Sequence, residues 1–303
     1  MKRFWPRVKK KFIQKLNEHV LFPILTNDWK KVDDFDLIID AIKAGYFRSW
    51  LRPFEFQLET ISRIVVIAPH QDDEVIGCGG LLLKFKKNNP KIKISIIYIT
   101  DGNQPLMKGG EVNSIKIRKS EAQRVCNYIG GNGVFFDIPN FNFIIHSEIV
   151  QQLVTVLSEM EPELILTPWV LDEPYKHRLS NYLLYKALES IPYDPAIWGY
   201  QVHNQPFPNL YVTIDDQLEE KLKLTRMYSS QLEYVAPYDH YVRGMAIWGA
   251  KTSQNTSIRY AELFHATSKN NFIKFFKEIV AGKEKYYLKE EGRAKYIEQI
   301  LND

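Results

Sequence analysis

From Ser62 onward the chain alternates short runs rich in β-branched residues with stretches of helical spacing, and this alternation restricts it to parallel strands joined by crossover helices. Ile64 to Ala68 reads as the first strand, Ile92 to Ile99 as the second, Val134 to Phe136 as the third, Leu164 to Leu166 as the fourth and Leu210 to Ile214 as a fifth. Between them Ile76 to Lys87, Ser114 to Tyr128, Ser147 to Met160 and Leu179 to Glu189 have helical length, and Gly130, Gly131 and Gly133 stop the second of these. With strands in the order 3-2-1-4-5, the first and fourth are neighbours where the winding reverses, and the loops that follow them open into one crevice.

A hydrophobic content of 45% over 303 residues is ample for a buried core. The expected organisation is a basic, helical N-terminal extension over residues 1–59 and a single α/β domain over 60–303. That domain keeps a charged helical stretch near Phe272 to Leu301. Charge is uneven. Lys2, Arg3, Arg7, Lys9, Lys10, Lys11 and Lys15 face only Glu18 in the first twenty residues, which exceeds the formal net charge of +4 for the whole chain. The body is therefore nearly neutral, which argues against a nucleic-acid-binding face. Within the extension, Val8, Phe12, Leu16 and Val20 share one helical face and Arg7, Lys10, Lys11 and Lys15 the other. That pattern fits either docking on the protein's own core or peripheral contact with an anionic membrane.

Only Cys78 and Cys126 occur, each in an apolar stretch, so a reducing cytoplasm is the expected compartment. The apolar run Val20 to Leu25 is short and broken by Pro23, which excludes it as a signal segment or membrane span.

The segment Val65-Val66-Ile67-Ala68-Pro69-His70-Gln71-Asp72-Asp73-Glu74 places a histidine and three carboxylates just beyond the end of a buried strand. In open α/β sheets that is where ligands bind. An imidazole and a carboxylate, His70 and Asp73, suit a divalent cation such as zinc, and a catalytic zinc needs a third protein ligand while keeping one position open. His177, past the fourth strand in the run from Thr167 and at the opening of a helix, is the candidate.

With these residues the sequence resembles the LmbE-like (PIG-L) family of zinc-dependent N-acetylglucosaminyl deacetylases. Its strand followed by A-H-P-D-D-E and then l-G-c-G-G is matched by Ala68-Pro69-His70-Gln71-Asp72-Asp73-Glu74 and Ile76-Gly77-Cys78-Gly79-Gly80. Thr100-Asp101-Gly102, Arg118 with Glu121, and Tyr260-Ala261-Glu262 with Phe264 resemble further family motifs. The resemblance implies a Rossmann-like, mostly parallel sheet and zinc, or another divalent metal, on His70, Asp73 and His177. It also implies Asp72 as the general base and an N-acetylated amino sugar as substrate.

The family's H-x-D-H before the last ligand is altered, with Pro174 and Lys176 in place of its first histidine and its aspartate. Oxyanion stabilisation then falls to the cation alone or to Tyr175, His203 or His240 from another loop. Substrate contacts are expected from Arg118, Asp101, Trp169 and His203, with Trp198 as a second flat face. Gly77, Gly79 and Gly80 lack nucleotide-binding spacing and point to close helix packing under the loop. An amidase for another N-acyl or thiol conjugate, and an inactive metal-containing glycan-binding module, remain as alternatives.

Overall fold

The computed structural model describes residues 53–57, 61–104 and 110–288. The amphipathic stretch expected as an N-terminal helix and the chain beyond 288 lie outside them. Chain order begins with β1 (Phe54–Glu55), β2 (Arg63–Ala68), α1 (Asp73–Asn88), β3 (Lys93–Thr100), α2 (Gly110–Ile129) and β4 (Asn132–Ile138). It continues with α3 (Ser147–Met160), β5 (Leu164–Pro168), α4 (Tyr175–Leu188), β6 (Ala196–Tyr200) and β7 (Leu210–Thr213). Helices α5 (Leu218–Met227), α6 (Ser229–Tyr234) and α7 (Tyr238–Ser253) precede β8 (Ala261–Ser268), α8 (Lys269–Phe275), a π turn over Phe276–Val280 and α9 (Glu284–Tyr287).

The strands form one sheet in the order β1-β7-β8-β6-β5-β2-β3-β4. All neighbours are parallel except β8, which runs antiparallel to both β6 and β7. Strand β2 is paired with β3 on one side and β5 on the other, with Val65 opposite both Ser95 and Ile165. The winding reverses between β2 and β5, as expected, so the loops after these strands open side by side. The period of two along β2 sends Ile64, Val66 and Ala68 into one core, and Val65 and Ile67 into another. The first core is closed by α1, α2 and α5, the second by α3, α4 and α8.

The expected fifth strand, Leu210–Ile214, needs correction. It is β7, three places from β5, because β6 and the antiparallel β8 stand between them. Ala-Ile-Trp-Gly-Tyr is short and carries alanine and glycine, which prefer strands weakly, so its strand character comes from pairing with β5 and β8. Trp198 is consequently a core residue at 6% exposure, its ring 4.7 Å from Phe56 and 5.6 Å from Phe264. Phe54–Glu55, inside the stretch expected as an extension, adds a parallel edge strand beside β7.

Helix α1 is broken at Cys78, whose φ of −141° and ψ of 15° are not helical. The groups freed by the break find buried partners. The N–H groups of Gly80 and Leu81 donate to the Glu262 carboxylate at 2.7 and 2.8 Å, and the Ile76 carbonyl accepts from Lys221 Nζ at 2.8 Å. Lys221 and Glu262 complete the set with an ion pair of 2.6 Å. The Tyr-Ala-Glu-x-Phe stretch is therefore a strand whose glutamate mends a kinked helix.

The glycines are explained by packing, as the sequence suggested. A Cβ on Gly77 would overlap the Tyr200 ring, which is fixed by its hydroxyl donating to the Ile67 carbonyl at 2.7 Å. A Cβ on Gly80 would lie 2.7 Å from Ile214 Cγ2. Gly77→Ala should therefore lower stability by about 1–3 kcal/mol, read as a lower midpoint in chemical denaturation, since a pinned ring in a close-packed core has no room to retreat.

Candidate metal centre

The loop after β2 delivers His70 to Asp73, the last of these opening α1, while α4 brings His177 on its first turn. One donor atom from each of His70, Asp73 and His177 lies within 4.8 Å of the other two. Asp73 Oδ2 is the hub. It accepts from the His70 main-chain N–H at 2.8 Å and lies 3.3 Å from His70 Nδ1 and 3.4 Å from His177 Nε2.

Each imidazole is oriented from behind. His177 is fully buried, and its Nδ1–H donates to Asp172 Oδ2 at 2.8 Å. His177 Nε2 makes no hydrogen bond among the described residues, although it is buried. An unsatisfied buried nitrogen aimed at a carboxylate and a second imidazole fits a position for a cation. His70 Nε2 donates to Asn140 Oδ1 at 3.2 Å, and Asn140 is held in that orientation by its own Nδ2 on the Asn103 carbonyl at 2.9 Å. This leaves His70 Nδ1 facing Asp73.

Asp72 stands beside the trio in a strained conformation, with φ of 143° and ψ of −26°. The strain is held by neighbours. Its N–H donates to Glu74 Oε2 at 3.2 Å, and Arg118 donates to the Gln71 carbonyl at 2.8 Å and to Asp72 Oδ1 at 3.4 Å.

The three adjacent carboxylates are driven apart electrostatically. Burial, reinforced by Asp73 and Glu74, pushes Asp72 well above the usual carboxylate range against the opposing Arg118. Asp73 goes the other way. Burial alone would raise it, but His177 and the hydrogen bonds of His70 hold it well below that range. Burial raises Glu74 to about 7, with the Tyr228 hydroxyl donating to its Oε1. Burial lowers His70 to about 4, whereas His177 is raised because Asp73 and Asp172 outweigh its burial.

Other expected contacts are placed differently. Arg118, expected to hold a sugar or phosphate, is 4% exposed and also reaches the Gly102 carbonyl at 3.3 Å, so it clamps the site loop from within. Asp101, expected to accept from sugar hydroxyls, is partly exposed and accepts from the N–H groups of Asn103 and Asn140 at 2.9 and 3.0 Å through Oδ1. Trp169, expected as a sugar platform, is 2% exposed and packs 5.1 Å from His265 and 5.9 Å from Phe207, leaving no open face. Glu121 binds Ser229 and Ser230, tying α2 to α6. Arg118, Trp169 and Glu121 face inward because large or charged side chains that look available in sequence are recruited to brace the structure from within.

His203 does lie at the site. It is exposed on the loop after β6, with its ring 5.4 Å from that of His177. His240 is exposed on the first turn of α7. Lys176 sits over Phe141 at 5.0 Å from the ring centre.

Asp172 and Asn140 were missing from the sequence reading. Asp172 had a signal, being a carboxylate just past the apolar end of β5, where the same logic had singled out the loop after β2. Asn140 had none.

Residues 65–188 match a family model described as PIG-L, GlcNAc-PI de-N-acetylase. The chain is 26% identical over 262 residues to the diacetylchitobiose deacetylase of Thermococcus kodakarensis, a match covering 77% of this chain and 92% of that protein. Its fold is similar to the N,N'-diacetylchitobiose deacetylase of Pyrococcus horikoshii, with TM-score 0.61, 19% identity and coverage of 77% and 93%. It is similar to the same degree to the 4-carboxy-2-hydroxymuconate hydratase of Pseudomonas putida KT2440, with TM-score 0.60, 19% identity and coverage of 68% and 96%. These two structures show the sheet and its helices in common.

Because Asp172 fixes the face that His177 turns toward the centre, Asp172→Asn should weaken zinc binding about 10–100-fold, measured by equilibrium competition with a chelating dye, while the far-ultraviolet circular dichroism is unchanged. Equal affinity in both proteins would remove Asp172 from the site.

Proposed function

We propose, from the match of residues 65–188 to the PIG-L (LmbE-like) family model, that the chain is a zinc-dependent deacetylase that hydrolyses the N-acetyl group of an amino sugar. The products are acetate and a free amine. The observation that carries the reading is the convergence of His70, Asp73 and His177, with Asp72 beside them and His177 Nε2 left without a hydrogen bond. A fold shared with a hydratase does not by itself name a reaction, so the argument rests on the site.

Two imidazoles and one carboxylate suit zinc and leave room for water and substrate. A divalent cation held by them supplies charge that makes water acidic near neutral pH and polarises an amide carbonyl. The protein provides the rest. Asp73, kept ionised, offers negative charge to the cation, and Asp172 and Asn140 hold the two imidazoles in register.

Asp72 is placed to carry the proton. Arg118 engages its Oδ1, leaving Oδ2 to take a proton from water and return it to the departing nitrogen. Its raised proton affinity makes a single carboxylate suitable for both halves of that transfer. The diacetylchitobiose deacetylase relationship supports an N-acetylated amino sugar as the substrate class.

We also assign the basic N-terminal extension to peripheral contact with anionic lipid at the inner face of the membrane, in a cytoplasmic protein. The support is the lysine- and arginine-rich face read from its sequence. Among the described residues no helix is long and apolar enough to cross a membrane. Removing residues 1–20 should abolish sedimentation with phosphatidylserine vesicles at low salt; unchanged sedimentation ends that assignment.

The zinc-loaded chain should release acetate from at least one member of a panel of N-acetylated amino sugars, and a chelator should stop it. Asp72→Asn should keep its zinc and lose turnover by about 10²-fold or more, measured as free amine formed. Release of a different acid would identify another amidase. Zinc binding with no acid released from any donor would favour a glycan-binding module.

A further inference from the structure

We propose that the His203 imidazole is the donor that stabilises the acyl oxygen of the substrate, a role that rests on the deacetylase reading above. Hydrolysis forms a carbon–oxygen bond from water and breaks the carbon–nitrogen bond, with the proton moving through Asp72 to the amine. Negative charge develops meanwhile on the acyl oxygen, and a positioned N–H aimed at it is a large contributor to such reactions. His203 gives a hydrogen bond and keeps its proton throughout.

The positions next to the last ligand do not provide this donor. Pro174 has no N–H and opens α4, and Lys176 is turned over the rings of Phe141 and Tyr175 at 5.0 and 5.6 Å. Among the described histidines outside the trio, only His203 has its ring against that of His177. His265 is buried in β8 with Nδ1 on the Phe207 carbonyl at 2.8 Å, and His240 is exposed on α7.

Three observations on His203 bear on this role. Its ring centre is 5.4 Å from that of His177, about the same distance as the 5.5 Å separating His70 from His177. It is exposed on the loop after β6, and so open to an incoming amide. No hydrogen bond to its ring nitrogens is formed among the described residues, so an N–H remains available.

The backbone carrying His203 is anchored as well. Asp172, which orients His177 through Oδ2, accepts from the Asn204 N–H at 2.6 Å through Oδ1, and its Oδ2 lies 3.5 Å from the His203 N–H. The Asn204 side chain also reaches the Leu171 carbonyl at 3.4 Å. One buried carboxylate thus sets a ligand and the loop after β6 in fixed relation, and such preorganisation makes a donor effective. Asp172 is a positioning residue in this scheme and His203 a catalytic one.

The test uses the full zinc-loaded chain with His203→Ala and His203→Gln, the second retaining an N–H donor. Zinc affinity should stay within about twofold in both, because His203 holds no metal. In His203→Ala, kcat should fall about 10²-fold with KM changed by less than about threefold, and His203→Gln should recover part of the loss.

Acetate, titrated calorimetrically, probes the acyl-oxygen position without turnover. Its affinity should fall about tenfold in His203→Ala, the size expected for one hydrogen bond to a charged group. Unchanged acetate affinity in His203→Ala, or a loss of zinc affinity that accounts for the lost rate, overturns the assignment. A wild-type chain that binds acetate through His203 yet releases none from any amino sugar sinks the deacetylase reading and leaves the donor role standing.

Discussion

Three consecutive carboxylates, Asp72, Asp73 and Glu74, are buried at 7%, 3% and 0% exposure, and much of the architecture around them answers the cost of that burial. Each is accommodated differently. Asp73 is surrounded by His70 and His177 and remains ionised, Asp72 is held against Arg118, and Glu74 has its proton affinity raised by burial and accepts from the Tyr228 hydroxyl. The solution is incomplete at one place, since His177 Nε2 has no hydrogen bond. A cation held there would complete it, and the excess negative charge would then be an attraction instead of a strain.

The frame was legible in sequence where burial on both faces leaves an unbroken apolar run. Strands β2, β3 and β5 are of that kind, and their order about the reversal point followed from the βα alternation. Strand β6 is masked by its alanine and glycine, and β8 by the alanine, glutamate and histidine that interrupt its apolar run. The convergence of His70, Asp73 and His177 was legible because polar and charged groups just past a buried strand end are unusual. Orientation was not. Whether Arg118 or Trp169 faces in or out depends on packing among segments distant in sequence, and so does the identity of Asp172 and Asn140 as supports for the histidines.

The same frame serves a sugar deacetylase and a hydratase, which places the burden of specificity on the strand-end loops. Here four of them meet: the loop after β2 carries His70 and Asp72, that after β4 carries Asn140, that after β5 carries Asp172, and that after β6 carries His203. Asn140 ties the second to the first, and Asp172 ties the fourth to the third. The sheet sets the distances and these cross-links set the angles.

The break in α1 has an electrical consequence. A continuous helix over Asp73–Asn88 would project the summed dipole of sixteen residues into the crevice as partial positive charge. Instead the longer segment starts afresh near Gly80, and its exposed N–H groups end on Glu262, far along the chain and paired with Lys221. Only a single short turn then contributes its field at Asp73. The potential beside Asp73 is left to side chains, with the carboxylates of Asp72, Asp73 and Glu74 set against Arg118 and the two imidazoles.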